Sequence, residues 1–175
     1  MIRRVVLLRH APAEVRDPAR WPDDDRRPLT TVGRRDARRV SEGLRAVGVR
    51  PDHILSSPAS RALDTARIAA RAFSVGPART VDQWEELSPG AEPLAVLERL
   101  ARERSVRGTV LLVGHEPLLG RLLGLIVYGE PVAAVRLRRA GAASVELPGR
   151  AIPGAGRLDW LLTRRQLTAL AGSAG

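Results

Sequence analysis

Short runs of consecutive apolar residues, none longer than one strand, punctuate this chain, and most are followed by a segment with helical periodicity. Val5–Leu8 is closed by arginine on both sides, His53-Ile54-Leu55-Ser56 is a second short run, and Thr109–Val113 is the clearest of all. Alternation of strand-length runs with helical patterns predicts βαβ units around a mostly parallel sheet. Thr30 is placed to cap a helix running to about Ala46. Arg34, Arg35, Arg38, Arg39 and Glu42 form its solvated face, with Val40, Leu44 and Val47 turned inward and Gly48 at the position that ends it. Ser57-Pro58 predicts a cap followed by proline at the first helical position, opening a helix to Phe73. Further elements are expected at Arg79–Val81 (strand), Pro93–Arg104 (helix) and Pro117 through Tyr128 (helix, with Gly129 beyond it). Ala142–Leu147 and Arg157–Leu162 are expected as antiparallel or edge strands, and Ala171–Gly175 as a loose tail.

The 175 residues fit one domain, because the polar connections Asp17–Arg27 and Pro148–Gly156 are too short to separate two. Residues 1–175 are therefore expected to form a single α/β domain, a three-layer α/β/α sandwich. The apolar run near the N-terminus stops after four residues, too short for a signal peptide core or a membrane span. Cytoplasmic location is the expectation. No cysteine is present, which excludes disulfides, thiolate nucleophiles and cysteine metal sites.

A formal net charge of +10 invites a nucleic-acid reading. Every one of the 29 basic residues is arginine, however, and they spread along the whole chain among acidic ones. Aromatic residues are only 3%, too few for a base-stacking platform. Attraction to an anionic substrate is the better inference, and the triplet Asp23-Asp24-Asp25, which lacks the alternating spacing of a calcium loop, is read as solvated.

Three apolar runs end in chemistry: Arg9-His10-Ala11, then Ser56-Ser57-Pro58-Ala59-Ser60-Arg61-Ala62, then Gly114-His115-Glu116. In open parallel sheets, ligands bind past the carboxyl ends of strands, so these ends can bring two histidines and two arginines into one crevice. Arginine offers a planar fork of donors that matches phosphate oxygens. Neutral imidazole is a nucleophile near neutral pH without a metal or partner base. His53 lies before its apolar run, at the opposite end, and is assigned a structural part; Glu116 is assigned to the start of a helix.

Arg9-His10, Leu29-Thr30-x-x-Gly33-x-x-x-Ala37, Ser57-Pro58-x-x-Arg61-Ala62 and Gly114-His115-Glu116-Pro117, in this order, resemble the histidine phosphatase (phosphoglycerate-mutase-like) superfamily. The resemblance is strongest to its small bacterial SixA-type phosphohistidine phosphatases. Arg27-Pro28-Leu29-Thr30 stands as in that branch, and only a short segment separates Arg61 from His115, which leaves no room for a cap domain. Ala11 stands where many members carry glycine. The resemblance implies that His10 accepts the phosphoryl group and that Arg9, Arg61 and His115 bind its oxygens, with Arg27 as a further contact. It also implies a carboxylate acid after the third strand, here Glu86 of Glu85-Glu86-Leu87, and neither metal nor cofactor. The implied activity is hydrolysis of phosphohistidine on a protein. The alternatives are a phosphomonoesterase for a small metabolite or nucleotide, and, in another class, a basic phosphate- or nucleic-acid-binding module with little turnover.

Overall fold

The computed structural model describes residues 1–73, 80–132 and 135–172. Among them, β1 (Ile2–Arg9), β2 (His53–Ser56), β3 (Val81–Gln83), β4 (Gly108–Gly114), β5 (Ala142–Glu146) and β6 (Arg157–Leu162) form one sheet. Five helices surround it: α1 (Thr31–Ala46), α2 (Ser60–Ala72), α3 (Pro93–Arg102), α4 (Leu118–Tyr128) and α5 (Arg164–Ala171). The strand order is β3-β2-β4-β1-β5-β6, in which β5 alone runs against the others. None of the described helices is long and apolar enough to cross a membrane.

Strand periodicity divides the core into two. Val5 and Leu7 of β1 pack with Val110 and Leu112 of β4 against Val96, Leu97 and Leu100 of α3 and the apolar length of α4. Val6 and Leu8, with Leu111 and Val113, face the other way onto Val40 and Leu44 of α1, Ala62, Ala66 and Ala69 of α2, and Leu167 of α5. Because side chains alternate across a strand, a run apolar at every position must be covered on both faces. The result is an α/β/α sandwich with a mostly parallel central sheet and no cap domain.

The helix ends follow the sequence closely in one case and depart from it in others. Thr30 caps α1, its side chain accepting the Gly33 N–H at 2.9 Å, and Gly48 turns the chain out of the helix at φ 82°. α2, by contrast, begins at Ser60 rather than at Pro58, with Ala59 as its cap residue. The reason is that Ser57 Oγ is taken up by the Ala59 N–H (3.2 Å) and by His115, which holds Ser57-Pro58-Ala59 as a turn ahead of the helix. The third strand is Val81–Gln83, and Arg79 lies outside the described residues. The expected tail is also corrected at Ala171, which closes α5. Thr163 caps that helix in a reciprocal capping box with Gln166, and Leu167 passes so close to α1 that a Cβ at Gly43 would sit 2.0 Å from the Leu167 carbonyl oxygen.

Candidate active site

The carboxyl ends of β1, β2 and β4 lie side by side, because β4 is hydrogen-bonded between the other two. The His10 N–H continues the β1–β4 ladder onto the Gly114 carbonyl (3.0 Å), and the Ser57 N–H does the same from β2 to Val113 (3.0 Å). This register sets His10, His115 and Ser57 around one point. The two imidazole rings are 5.1 Å apart between centroids and inclined at 55°. His115 Nε2 shares a hydrogen bond with Ser57 Oγ at 2.9 Å.

His10 is held in a defined form. Its Nδ1 is 2.8 Å from the Ala11 carbonyl oxygen, which can only accept, so the proton of the neutral ring sits on Nδ1 and the lone pair on Nε2. Burial, with the positive field of Arg61, Arg9 and Arg27 in support, pushes the His10 pKa down to about 4. His115 is pushed down to about 2, first by burial and then by His10 and the same three arginines. Both imidazoles are therefore uncharged at neutral pH. Ala11 is itself anchored to α2, since Thr65 Oγ1 accepts the Ala11 N–H (3.1 Å) while donating to the Arg61 carbonyl (2.7 Å).

Three arginines converge on the histidines. Arg61, only 3% exposed, donates to the Asp24 carbonyl (2.8 Å) and pairs with the carboxylates of Asp24 (3.3 Å) and Asp25 (3.7 Å). Arg27 grips the same Asp24 carboxylate with two donors, Nε at 2.9 Å and a terminal nitrogen at 3.3 Å, and reaches the Glu14 carbonyl with the other at 2.8 Å. Asp24 thus aligns two guanidinium groups at once, and its pairing with Arg27 draws its own pKa below the ordinary carboxylate value. Arg9 donates to the Leu137 carbonyl (3.0 Å), whereas its Nε–H is buried without a partner. A buried, unpaired donor on a cation beside a neutral histidine suits an anion oxygen. Glu116 faces Arg9 and accepts the Leu137 N–H at 2.8 Å; burial raises its pKa.

Five of the six residues singled out from the sequence, Arg9, His10, Arg27, Arg61 and His115, are therefore brought together. Glu86 lies on a short 3₁₀ turn, Glu85–Leu87, whose Leu87 carbonyl oxygen would be 3.5 Å from a Cβ at Gly114, beside His115. Its carboxylate is held by Arg99, whose guanidinium stacks over Trp84 at 4.2 Å. Sequence reasoning missed Asp24, which it took for a solvated acid, and also Thr65 and the link from Ser57 to His115. The spacing of Asp24 three residues before Arg27 was the one available signal for the first; the other two depend on tertiary packing.

The profile of the histidine phosphatase superfamily (branch 1) matches residues 5–92. A protein of Picosynechococcus sp. is 36% identical over 126 residues, 71% of this chain and 74% of its own. Among solved structures, the protein histidine phosphatase SixA complexed with tungstate superposes with a TM-score of 0.79 at 26% identity, covering 94% of this chain and 99% of that one. A candidate phosphohistidine phosphatase SixA from Agrobacterium tumefaciens gives 0.75 at 28% identity, covering 93% and 99%.

Proposed function

Because the chain belongs to the histidine phosphatase superfamily (branch 1), we propose that it hydrolyses phosphohistidine on a protein through a phosphohistidine formed on His10. The observation that carries this reading is the Ala11 carbonyl holding His10 Nδ1–H, which leaves the Nε2 lone pair free inside a ring of arginines. In the first step His10 Nε2 attacks phosphorus, a new N–P bond forms, and the P–N bond to the substrate imidazole breaks. The departing imidazole takes a proton. In the second step water attacks the same phosphorus, the bond to His10 breaks, and inorganic phosphate leaves.

Arg9, Arg61 and Arg27 are cations able to hold the three phosphoryl oxygens, with the unpaired Arg9 Nε–H as one donor. His115, uncharged and oriented by Ser57, contributes a hydrogen bond rather than a charge. Glu86 delivers the proton that the departing imidazole takes, parting from Arg99 to do so, and regains one from the attacking water in the second step. An imidazole leaves more easily than an alkoxide, so a phosphohistidine substrate asks less of that acid than an ester does. The likeness to SixA, together with strand ends that no cap covers among the described residues, supports a substrate presented by a folded protein.

The test is phosphate release from a phosphohistidine-bearing protein in excess EDTA, comparing the natural enzyme with His10→Ala. Release that withstands EDTA and vanishes in the variant is expected. Equal release by both would remove His10 as the nucleophile. Release from small phosphate esters but not from the protein would keep the chemistry and overturn the substrate.

A further inference from the structure

Resting on that reading, we propose that an arginine-lined groove beside the phosphate site docks the acidic face of the phosphohistidine protein. The groove encloses about 630 Å³ and is lined by Pro12, Arg138, Arg139, Thr163, Arg164 and Arg165.

Its position follows from the topology. β5 runs against the sheet, so the residues that precede it lie at the carboxyl edge of β1; β6 runs with β1, so the residues that follow it lie at that edge too. The segment before β5 is fastened to the nucleophile strand. The Ala140 N–H is shared between the Arg9 and His10 carbonyls, at 3.2 Å each, and Arg9 holds the Leu137 carbonyl. Pro12 is two residues past His10. Arg136 and Arg139 are close enough for their charge to act on Arg9. The groove therefore adjoins the phosphate site, on the side of β5 and β6, without sharing its residues.

The charge in the groove is largely uncompensated. Arg164 pairs with Asp36, but Arg138, Arg139 and Arg165 are exposed and have no carboxylate within ion-pairing distance among the described residues. Arg136, next to the groove, is exposed and equally unpaired. Exposed arginines without a carboxylate occur elsewhere among the described residues, as at Arg35, Arg38 and Arg39 of α1, but those of the groove adjoin the segment bonded to Arg9 and His10. Several unpaired cations on two adjoining segments create a positive surface that attracts and orients a negative partner.

Scale favours a protein over a small ester. Two strand spacings separate β1 from β6, about 10 Å, so an anion on Arg165 lies well away from phosphorus held over β1. A phosphohistidine presents its phosphoryl at the tip of one side chain, and contacts at that distance come from the surface around it.

The experiment compares the natural protein with the double variant Arg138→Glu/Arg165→Glu, two groove residues outside the phosphate site. Turnover is measured on an acidic phosphohistidine-bearing domain and on phosphoramidate, at low and physiological ionic strength. The variant should lose about tenfold or more in kcat/KM on the domain, with a weaker salt dependence. Phosphoramidate turnover should be unchanged. Equal losses on both substrates, or no loss on the domain, would overturn the proposal. Binding of the unphosphorylated domain, followed by fluorescence anisotropy, judges the groove separately from catalysis. Were the natural protein to leave phosphohistidine intact, the proposed function would fail. The groove would still stand if binding weakened in the variant, and fall if it did not. Tight binding of duplex DNA that the variant abolishes, with the acidic domain bound equally by both proteins, would assign the groove to nucleic acid and overturn the proposal.

Discussion

Acidification should destabilise this protein through His10, the imidazole proposed as its nucleophile. The His10 imidazole titrates at about 4 in the folded state against 6.5 when exposed. Between those values the unfolded chain binds a proton at this position and the folded protein does not. Stability is thus complete above about pH 6.5 and declines as the pH falls toward about 4, beyond which His10 adds no further loss. The difference of roughly 2.5 in pKa, at about 1.4 kcal/mol each, bounds the effect near 3 kcal/mol. At about pH 5 the same linkage gives about 2 kcal/mol. His115 shifts in the same direction and adds to the loss. His10→Asn isolates the contribution of His10, because the asparagine amide can still donate to the Ala11 carbonyl but has no proton to gain. Urea unfolding at about pH 7 and about pH 5 measures both proteins, and the variant should lose about 2 kcal/mol less than the natural protein. Parallel losses in the two would show that His10 is not held neutral by burial. The basis for a nucleophile that stays uncharged in mild acid would then be gone.

Two further outcomes test the scaffold. Asp24→Asn keeps the shape of the side chain but removes the charge that aligns Arg27 and Arg61, so kcat/KM on a phosphate ester should fall about tenfold, chiefly through KM, as expected for misplaced binding groups; steady-state kinetics that match the natural protein would remove Asp24 from the site. Gly33→Ala would put a Cβ 1.9 Å from the Pro12 carbonyl oxygen, two residues past the nucleophile, and should cost about 2–4 kcal/mol in thermal or urea unfolding; Gly149→Ala, with nothing within 4 Å of its Cβ, should be neutral, and equal effects at both positions would contradict the packing at α1.

Much of this arrangement is legible in the sequence. A strand that is apolar at every position announces burial on both faces, and a histidine at its end lies at the ligand edge of the sheet. Thr30 and Gly48 mark the two ends of α1 by local backbone chemistry that needs no partner. What escaped is what depends on distant residues. α5 carries one buried residue, Leu167, too sparse a pattern to signal a helix, and it is fixed by its close approach to Gly43. Ser57 has the residue type of a cap, but His115 competes for its hydroxyl. Asp24 looked like one of three solvated acids because Arg61, its second partner, is 37 positions away.

The reversed direction of β5 also separates surface charge from the histidine site along the chain. It carries the segment around Arg138 back to the edge where the nucleophile sits, yet this segment belongs to a different part of the chain from Arg27, Arg61 and His115. Its hold on the site uses backbone groups at Leu137 and Ala140, which substitutions at the exposed Arg138 and Arg139 side chains do not remove. Charge at positions 138 and 165 can accordingly be altered without touching the bonds that tie this segment to Arg9 and His10.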